Sequence, residues 1–450
     1  MERDAQKQLD LWFRSSPRKP LVLRGARQVG KSTLVRLFAR DKGLALHEVN
    51  LERHLFLRDA FASGDLNRIL GELAGLAGEI REKRSALLFL DEIQAVPEAI
   101  AALRYFFEDM PELAVVAAGS LLEFALADHR FSMPVGRITY LHLGPLSFAE
   151  FLLASDAELH RFYLDWKMGD PLPVSRHNAL LHRQREFLIV GGMPEAVQTW
   201  LDTKLFDRVA EVQRTILDTY VDDFAKYARQ AQLARLQRIF RTVPAQLGRK
   251  VKFTHLSPDD RSGEVRTALD LLCKARICTP VYHSDGSGVP LGAGQDSSTF
   301  KLLFLDIGLV SLVLGMTWPQ TQSLDERRLL NEGALAEQFV GQELLGRFGG
   351  KQLPELHYWL REGRSNNAEL DFLIAQGTQV VPIEVKSGKA GTLKSLQQFV
   401  GAKKPPVAVR FDLNLPSTQS LVSETGTTEL VSLPLYFAGR LLELLEGCGR

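Results

Sequence analysis

Two patterns of apolar residues alternate along the first third of the chain. Strand-like apolar segments are predicted at 21–23, 45–51, 86–90, 113–118 and 138–143, and helical spacing occurs at 5–13, from 31 onwards and at 66–81. The run at 86–90 is apolar without alternation, which is typical of a central parallel strand buried on both faces. Strands that alternate with helices predict an α/β fold with a doubly wound parallel sheet.

The pattern changes after this sheet. Residues 148–217 have helical spacing, interrupted by Gly191-Gly192, which predicts a helix end or a hinge. Within 218–324 we predict a helix at 233–247, a polar turn at 257–263, a helix at 264–274, an apolar segment at 277–282, a loop or wing tip at 284–299 and a strand at 302–305. Helix, turn, helix and strand is the order of a winged helix-turn-helix. A helical subdomain that only links its neighbours is the alternative.

Basic residues lie on or beside the second helix of this middle region: Arg261, Arg266, Lys274 and Arg276. On DNA such a helix enters the major groove while the basic side chains meet phosphates. DNA is therefore the expected partner.

The last stretch combines a helix with a hairpin. A helix is predicted at 334–345, strands at 356–360, 369–374 and 380–385, and a further helix from about 393. The predicted domains are 1–147, 148–217, 218–324 and 325–450.

Composition limits the class of protein. A chain of 450 residues is too long for one core, and 45% hydrophobic and 24% charged residues are ordinary globular values. The net charge of +1 gives no global attraction to nucleic acid or to an anionic membrane, so any such binding depends on local patches. The 3 cysteines show no C-x-x-C spacing, and the N-terminus has no apolar signal region. We expect a cytoplasmic protein with no membrane partner.

The segment after the first strand carries the clearest motif, G-x-x-x-x-G-K-S. Gly25 and Gly30 let the backbone curl so that N–H groups face a phosphate, and the following helix presents its N-terminus to the same anion. Lys31 is placed to reach the β- and γ-phosphates, and the Ser32 hydroxyl to bind Mg²⁺. The residues expected to contact ATP are Gly25, Ala26, Arg27, Gln28, Val29, Gly30, Lys31, Ser32 and Thr33.

Acids follow the buried strand at 86–90. Asp91 and Glu92 fall at the carboxyl end of a parallel strand, where ligands bind in open α/β sheets. Asp91 is expected to hold Mg²⁺ through water, and Glu92 to accept a proton from the attacking water. Ser120, after the next strand, is either a polar sensor of the γ-phosphate or a helix N-cap.

A second constellation lies in the C-terminal hairpin. Glu384 and Lys386 alternate along one strand and share a face, and an antiparallel neighbour can bring Asp371 beside them. Together with Glu337 on the preceding helix, these carboxylates suit Mg²⁺, and the lysine can orient or deprotonate a water that attacks a phosphodiester. An ordinary hairpin with a charged outer face is the alternative. Charges inside an otherwise apolar strand argue against it, because unpaired charges are costly there.

These residues resemble the widespread prokaryotic AAA+ superfamily ATPases that carry a C-terminal domain of unknown function. The matching segments, in order, are RGARQVGKST, LLFLDEIQ, GSLLEFAL, PLSFAEFL, GGMPEAV, KLLFLDIGL, EGALAEQFV, ELDFLI and PIEVKSGK. The resemblance implies an AAA-type core, a winged-helix region and an ending similar to the PD-(D/E)xK restriction-endonuclease fold. Asp371, Glu384 and Lys386 match the nuclease motif and Glu337 matches its first-helix acid, although Leu370 stands where the usual proline would precede Asp371.

Three functional hypotheses follow. The first is an ATPase that binds DNA and carries a Mg²⁺-dependent nuclease domain. The second is a nucleotide-controlled switch whose nuclease-like end binds nucleic acid or protein without catalysis. The third is a signalling ATPase with no nucleic-acid role, which the near-neutral net charge allows. A homo-oligomer is a further expectation.

Overall fold

The chain forms two compact units in the computed structural model. The structure describes residues 1–119, 136–226, 228, 230–316, 333–346, 355–362, 367–386, 393–423 and 426–446. The first unit is built on Met1–Pro145, and the second on most of the described chain from Leu146 onwards. Across these ranges no helix combines the length and the apolar character that a membrane span requires.

A parallel sheet forms the first unit. Its strands are β1 (Leu21–Arg24), β2 (Ala45–Asn50), β3 (Ala86–Asp91), β4 (Ala114–Ala118) and β5 (Thr139–His142). In the part of the chain that is described, they pair in parallel in the order β2-β3-β4-β1-β5. Every residue of β3 and β4 is buried, as the unbroken apolar runs indicated. The predicted parallel sheet is confirmed.

The helices of the first unit follow the predicted alternation. Among the described residues they are α1 (Ala5–Phe13), α2 (Lys31–Lys42), α3 (Arg58–Ser63), α4 (Leu66–Ala77) and α5 (Pro97–Asp109). The predicted helix at 66–81 ends earlier, at Ala77, because Gly78 adopts a φ of 83° and turns the chain out of the helix.

Helices also open the second unit, as predicted for 148–217. They are α6 (Phe148–Ser155), α7 (Ala157–Asp165), α8 (Val174–Val190), α9 (Pro194–Thr203) and α10 (Phe206–Asp223). A capping box starts α6: the Ser147 hydroxyl accepts the Glu150 N–H, and the Glu150 carboxylate accepts the Ser147 N–H.

Asp306 ties the turn between α8 and α9 to a later helix. Its carboxylate accepts the N–H groups of Gly308 (3.0 Å) and Leu309 (3.2 Å), which caps α14 (Ile307–Val313), and also the N–H of Gly192 (2.6 Å). No residue with a side chain can replace Gly192, because a Cβ at this position would lie 2.1 Å from the Leu146 carbonyl oxygen. The Gly191-Gly192 pair is therefore a packed turn at a helix end.

The middle region has the predicted order with shifted boundaries. Its helices are α11 (Gln230–Thr242), α12 (Phe253–Leu256) and α13 (Ser262–Lys274). The helix predicted at 233–247 ends at Thr242, and a 3₁₀ turn, Val243–Gln246, follows it because Pro244 has no N–H for the helical ladder.

A mixed sheet crosses the second unit. Its strands are β6 (Cys278–Ser284), β7 (Gln295–Phe304), β8 (His357–Arg361), β9 (Ala368–Gln376), β10 (Gln379–Val385), β11 (Val407–Asp412), β12 (Ser417–Ser423) and β13 (Gly426–Pro434). Within the described ranges the order is β12-β13-β11-β10-β9-β8-β6-β7. The remaining helices of the described residues are α15 (Gly333–Gly346), α16 (Lys394–Lys403) and α17 (Leu441–Glu446).

The middle region and the C-terminal region share this sheet. The β6–β7 hairpin is antiparallel, and β6 pairs in parallel with β8. Residues 295–299, predicted as loop, belong to β7. The domain boundary predicted at 324/325 falls between strands of the same sheet, and the winged-helix and restriction-endonuclease-like assignments stay predictions.

Candidate functional site

The loop between β1 and α2 has the backbone that a phosphate-binding loop needs. Gly25 and Gly30 have φ values of 152° and 92°, and Gln28 has a φ of 62°. A Cβ at Gly25 would lie 2.1 Å from the carbonyl oxygen of Leu143, so only glycine fits beside that strand end. The loop thus ends at the N-terminus of α2, where unpaired N–H groups favour an anion.

Lys31 folds back over its own loop. Its ammonium donates to the carbonyl oxygens of Gly25 (3.0 Å) and Ala26 (2.8 Å). Burial lowers the pKa of Lys31 to about 8, and the negative charges of Glu92 and Asp91 oppose that shift. The ammonium is thus held where a phosphate can replace the carbonyls as its partner.

Ser32 and Asp91 meet across the strand ends. The Ser32 hydroxyl donates to Asp91 Oδ2 at 2.8 Å, and the Glu92 N–H donates to Asp91 Oδ1 at 3.0 Å. Burial raises the pKa of Asp91, although the hydrogen bond from Ser32 lowers it. A hydroxyl and a carboxylate are hard oxygen ligands, so these two residues fit Mg²⁺.

Glu92 takes a strained backbone conformation next to Asp91. Its φ is 50°, in the left-handed region, and its Oε2 accepts a hydrogen bond of 2.6 Å from the Gln94 amide. Gln94 was not singled out from the sequence, although it belongs to the same LLFLDEIQ segment. It orients the carboxylate that was predicted to accept a proton.

The other predicted loop residues have mixed exposure. Ala26 and Val29 are buried, Arg27 is half-buried and Thr33 is exposed, while Ser120 lies outside the described residues. Arg3 donates to the Val29 carbonyl oxygen (3.0 Å) and to the Gly144 carbonyl oxygen (2.7 Å), which fixes the loop from the N-terminal side. Nothing in the sequence marked Arg3 among the many basic residues of this region.

In the second unit, the hairpin of β9 and β10 brings three predicted residues together. The strands are antiparallel, and Asp371 Oδ2 accepts the Val385 N–H at 2.7 Å. The Lys386 ammonium contacts Glu384 Oε1, so these two side chains share a face as predicted.

Glu337 joins them from α15, but through a residue that the sequence reasoning missed. The Lys301 ammonium, from β7, lies 3.0 Å from Glu337 Oε1 and 3.7 Å from Asp371 Oδ1, and it also contacts Glu369 Oε1. The segment KLLFL contained a signal for Lys301, because it places a charged residue in an apolar strand. The same kind of signal pointed to Glu384.

Burial dominates the electrostatics of this cluster. It raises the pKa of Glu337 and of Glu384 above the ordinary glutamate range, and the ammonium groups of Lys301 and Lys386 oppose those shifts. Burial alone would lower the pKa of Lys301, but the three surrounding carboxylates outweigh it and raise that pKa above the usual lysine range. Among the residues that the structure describes, no group of three or more His, Cys, Asp or Glu side chains is arranged to hold a metal ion. This arrangement of Glu337, Asp371 and Glu384 does not fit Mg²⁺, because an ammonium lies between two of the carboxylates.

The predicted DNA-contacting helix is α13. It buries Val265, Ala268, Leu269 and Leu272, and exposes Arg261 just before it and Arg266 and Lys274 along it. Glu264 lies on the same helix, and Arg235 pairs with it at 3.0 Å.

Comparisons with protein-family models divide the chain in three. Residues 17–152 match an AAA domain. Residues 181–320 match a domain of unknown function (DUF8612), and residues 332–436 match another (DUF4143). The fold and the loop geometry agree with the first match: the first unit is an AAA-type P-loop ATPase domain.

Several solved structures are similar to the chain at low identity. The Walker-type ATPase PABY2304 of Pyrococcus abyssi is 16% identical, with a TM-score of 0.42, over 69% of this chain and 95% of that one. The RuvB Holliday junction branch migration motor of Thermotoga maritima is 18% identical, with a TM-score of 0.29, over 61% and 88%. PCH-2 of C. elegans is 16% identical, with a TM-score of 0.24, over 50% and 59%. No curated protein matches the sequence. These values are too low to carry an argument about activity or partners.

Proposed function

We propose that this protein binds ATP with Mg²⁺ and hydrolyses it. The observation that carries the proposal is the meeting of Lys31, Ser32 and Asp91 at the carboxyl edge of the parallel sheet, with Glu92 beside them. Ligands of open α/β sheets bind at this edge.

Each side chain has a distinct task. Lys31 would exchange the loop carbonyls for phosphate oxygens, and Ser32 and Asp91 would hold Mg²⁺, which would neutralise phosphate charge. Glu92 accepts the proton of the attacking water, in the orientation that Gln94 gives it.

Nucleotide binding and turnover in two variants test this proposal. Lys31→Ala is expected to lose both ATP binding and turnover. Glu92→Gln is expected to keep binding and to lose about 10²–10⁴-fold in turnover, the usual contribution of a general base. Lys42→Ala, at the far end of α2, is the matched control and should behave as wild type. Unchanged turnover in Lys31→Ala would contradict the proposal.

We further propose that DNA is a partner of the ATPase and that α13 contacts its backbone. The support is the exposed basic residues of this helix, which precedes the β6–β7 hairpin in the chain. Binding of DNA that weakens steeply with salt is the expected behaviour. A signalling ATPase without a nucleic-acid role would show no such binding.

For the carboxylate cluster there are two candidate functions. The approach of Asp371, Glu384 and Lys386 favours a nuclease, as the motif predicted. The ion pairs of Lys301 favour the other candidate, a nucleotide-controlled switch whose nuclease-like end binds without cleaving. We favour the switch, since the carboxylates already have a cation among them.

A cleavage assay separates the two candidates. Purified protein is incubated with linear, branched and single-stranded DNA, Mg²⁺ or Mn²⁺, and ATP. The switch predicts no cleavage. Cleavage that Asp371→Ala abolishes would establish the nuclease instead.

A further inference from the structure

Lys301 is a charged residue that is buried in the second unit. Only 1% of it is exposed, and the residues that follow it in β7, Leu302, Leu303 and Phe304, are buried too. A buried ammonium is costly unless it is paired, so its partners explain why a lysine can stand there.

Those partners come from two elements of the C-terminal region. Glu337 lies on α15, and Glu369 and Asp371 alternate along β9, which places both on one face of that strand. The ammonium also lies 5.3 Å from the centre of the Tyr358 ring. Carboxylates and an aromatic face surround the cation on several sides.

The carboxylates of the cluster can accept a further cation. Glu384 is 5% exposed, and within the described part of the chain its Oε2 accepts no hydrogen bond. Four carboxylates (Glu337, Glu369, Asp371 and Glu384) thus face two ammonium groups (Lys301 and Lys386). Removal of one ammonium would leave an acidic set of the kind that attracts hard divalent ions.

We propose that Lys301 is the resident cation of this cluster: its ammonium takes the place between Glu337 and Asp371 that a divalent metal ion would otherwise occupy. A metal ion there would lie within a few ångströms of the ammonium, and the two positive charges would repel each other. Lys301 therefore excludes divalent metal from this cluster in the native protein. A neutral side chain of similar length at this position creates a metal site. The proposal rests on the non-catalytic candidate for the cluster and is independent of ATP hydrolysis.

Titration with Mn²⁺, followed by electron paramagnetic resonance, tests the proposal on the full-length protein without nucleotide. Lys301→Met is expected to gain a Mn²⁺ site at least tenfold tighter than any in wild type. Adding Asp371→Asn to Lys301→Met should remove the gained site. Lys250→Met is the matched control, since Lys250 pairs with Glu362 at 3.0 Å at a more exposed place in the same unit, and it should bind Mn²⁺ as wild type does.

Two results would overturn the proposal. One is a folded Lys301→Met protein, checked by circular dichroism and cooperative thermal unfolding, that binds Mn²⁺ no more tightly than wild type. The other needs no lysine variant: wild-type protein that binds Mn²⁺ at a site lost in Asp371→Asn. Wild-type binding that Asp371→Asn leaves unchanged supports the proposal even when Lys301→Met does not fold. Failure of ATP turnover alone would count against the ATPase and leave the Mn²⁺ results intact.

Discussion

Asp306 is a single carboxylate that holds a helix start and a distant turn together. It is fully buried, and its oxygens accept backbone N–H groups from Gly192, Gly308 and Leu309. Burial raises its pKa to about 6, and the hydrogen bonds only partly oppose that shift. The folded protein therefore binds a proton at this site over a pH range in which the unfolded chain has lost it.

The stability of the second unit should thus fall as pH rises from about 4 to about 6. The folded-state pKa lies above the unfolded value, so ionisation costs the folded state more. Asp306→Asn should be less stable than wild type at pH 4, because its amide turns an N–H towards a backbone donor. The difference in the free energy of unfolding between the two proteins should narrow by about 2–3 kcal/mol between pH 4 and pH 7. The reason is that ionisation of this side chain destabilises only the wild-type protein.

Thermal unfolding of both proteins across this pH range measures the effect. Asp207→Asn, an exposed acid on α10, serves as the control. A difference in unfolding free energy between the two proteins that stays constant with pH would refute the role assigned to Asp306.

Gln94 is expected to act on turnover through Glu92. Gln94→Ala removes the amide that holds the carboxylate, so kcat should fall about tenfold while the KM for ATP stays close to wild type. Steady-state ATPase assays measure both constants, with Asn67→Ala, an exposed polar residue on α4, as the control. A wild-type kcat would show that Glu92 needs no such support.

The sequence predicted the geometry of the loop between β1 and α2 better than that of the second cluster, and the reason is distance along the chain. Lys31 and Ser32 belong to one short motif whose spacing dictates the geometry. Lys301 and Asp371 meet only through the pairing of distant strands, which local patterns do not encode. The proximity of Asp371 and Glu384 could be predicted because a hairpin is a local structure.

At the scale of elements, the turn from β1 into α2 depends on one glycine. Gly25→Ala would place a Cβ 2.1 Å from the Leu143 carbonyl oxygen, so the loop would have to move away from β5. We expect ATP binding to weaken at least tenfold and stability to fall by about 1–3 kcal/mol.

Fluorescent-nucleotide binding and thermal unfolding test this expectation. Gly71→Ala is the matched control, because Gly71 lies inside α4 with open space around it. A helix-interior alanine should raise stability by about 0.5–1 kcal/mol and leave binding unchanged. Wild-type affinity in Gly25→Ala would show that the loop tolerates the displacement.

Element boundaries and the edge of the second sheet were the least predictable features. β7 starts at Gln295, earlier than predicted, because its polar first half pairs with β6 although it has no apolar signal. β11, β12 and β13 were not predicted. β12 (STQSLVS) is mostly polar, so it has no apolar pattern to mark it. The parallel pairing of β11 with β13 is a tertiary contact, which local patterns do not predict.

At the scale of the molecule, the near-neutral charge means that the proposed DNA binding would depend on local surface charge. We expect Arg261→Ala and Arg266→Ala each to weaken DNA binding similarly for all sequences. Each should reduce the slope of log affinity against log salt by about 1 for one lost phosphate contact. Fluorescence anisotropy at several salt concentrations measures that slope.

Arg208→Ala is the control for this measurement, because Arg208 is an exposed arginine on α10 that pairs with Glu211 at 3.0 Å. If all three variants have the wild-type slope, α13 is not the contact surface.

The shared sheet of the second unit has an evolutionary consequence. The middle stretch supplies β6, β7 and the buried Lys301, and the C-terminal stretch supplies the strands beside them and the acids around that lysine. Transferred to another protein alone, the C-terminal part would leave the edge of β8 that pairs with β6 open and its acids without their cation. We expect the two stretches to be inherited together, with substitutions at Lys301 and at Glu337 constrained as a pair.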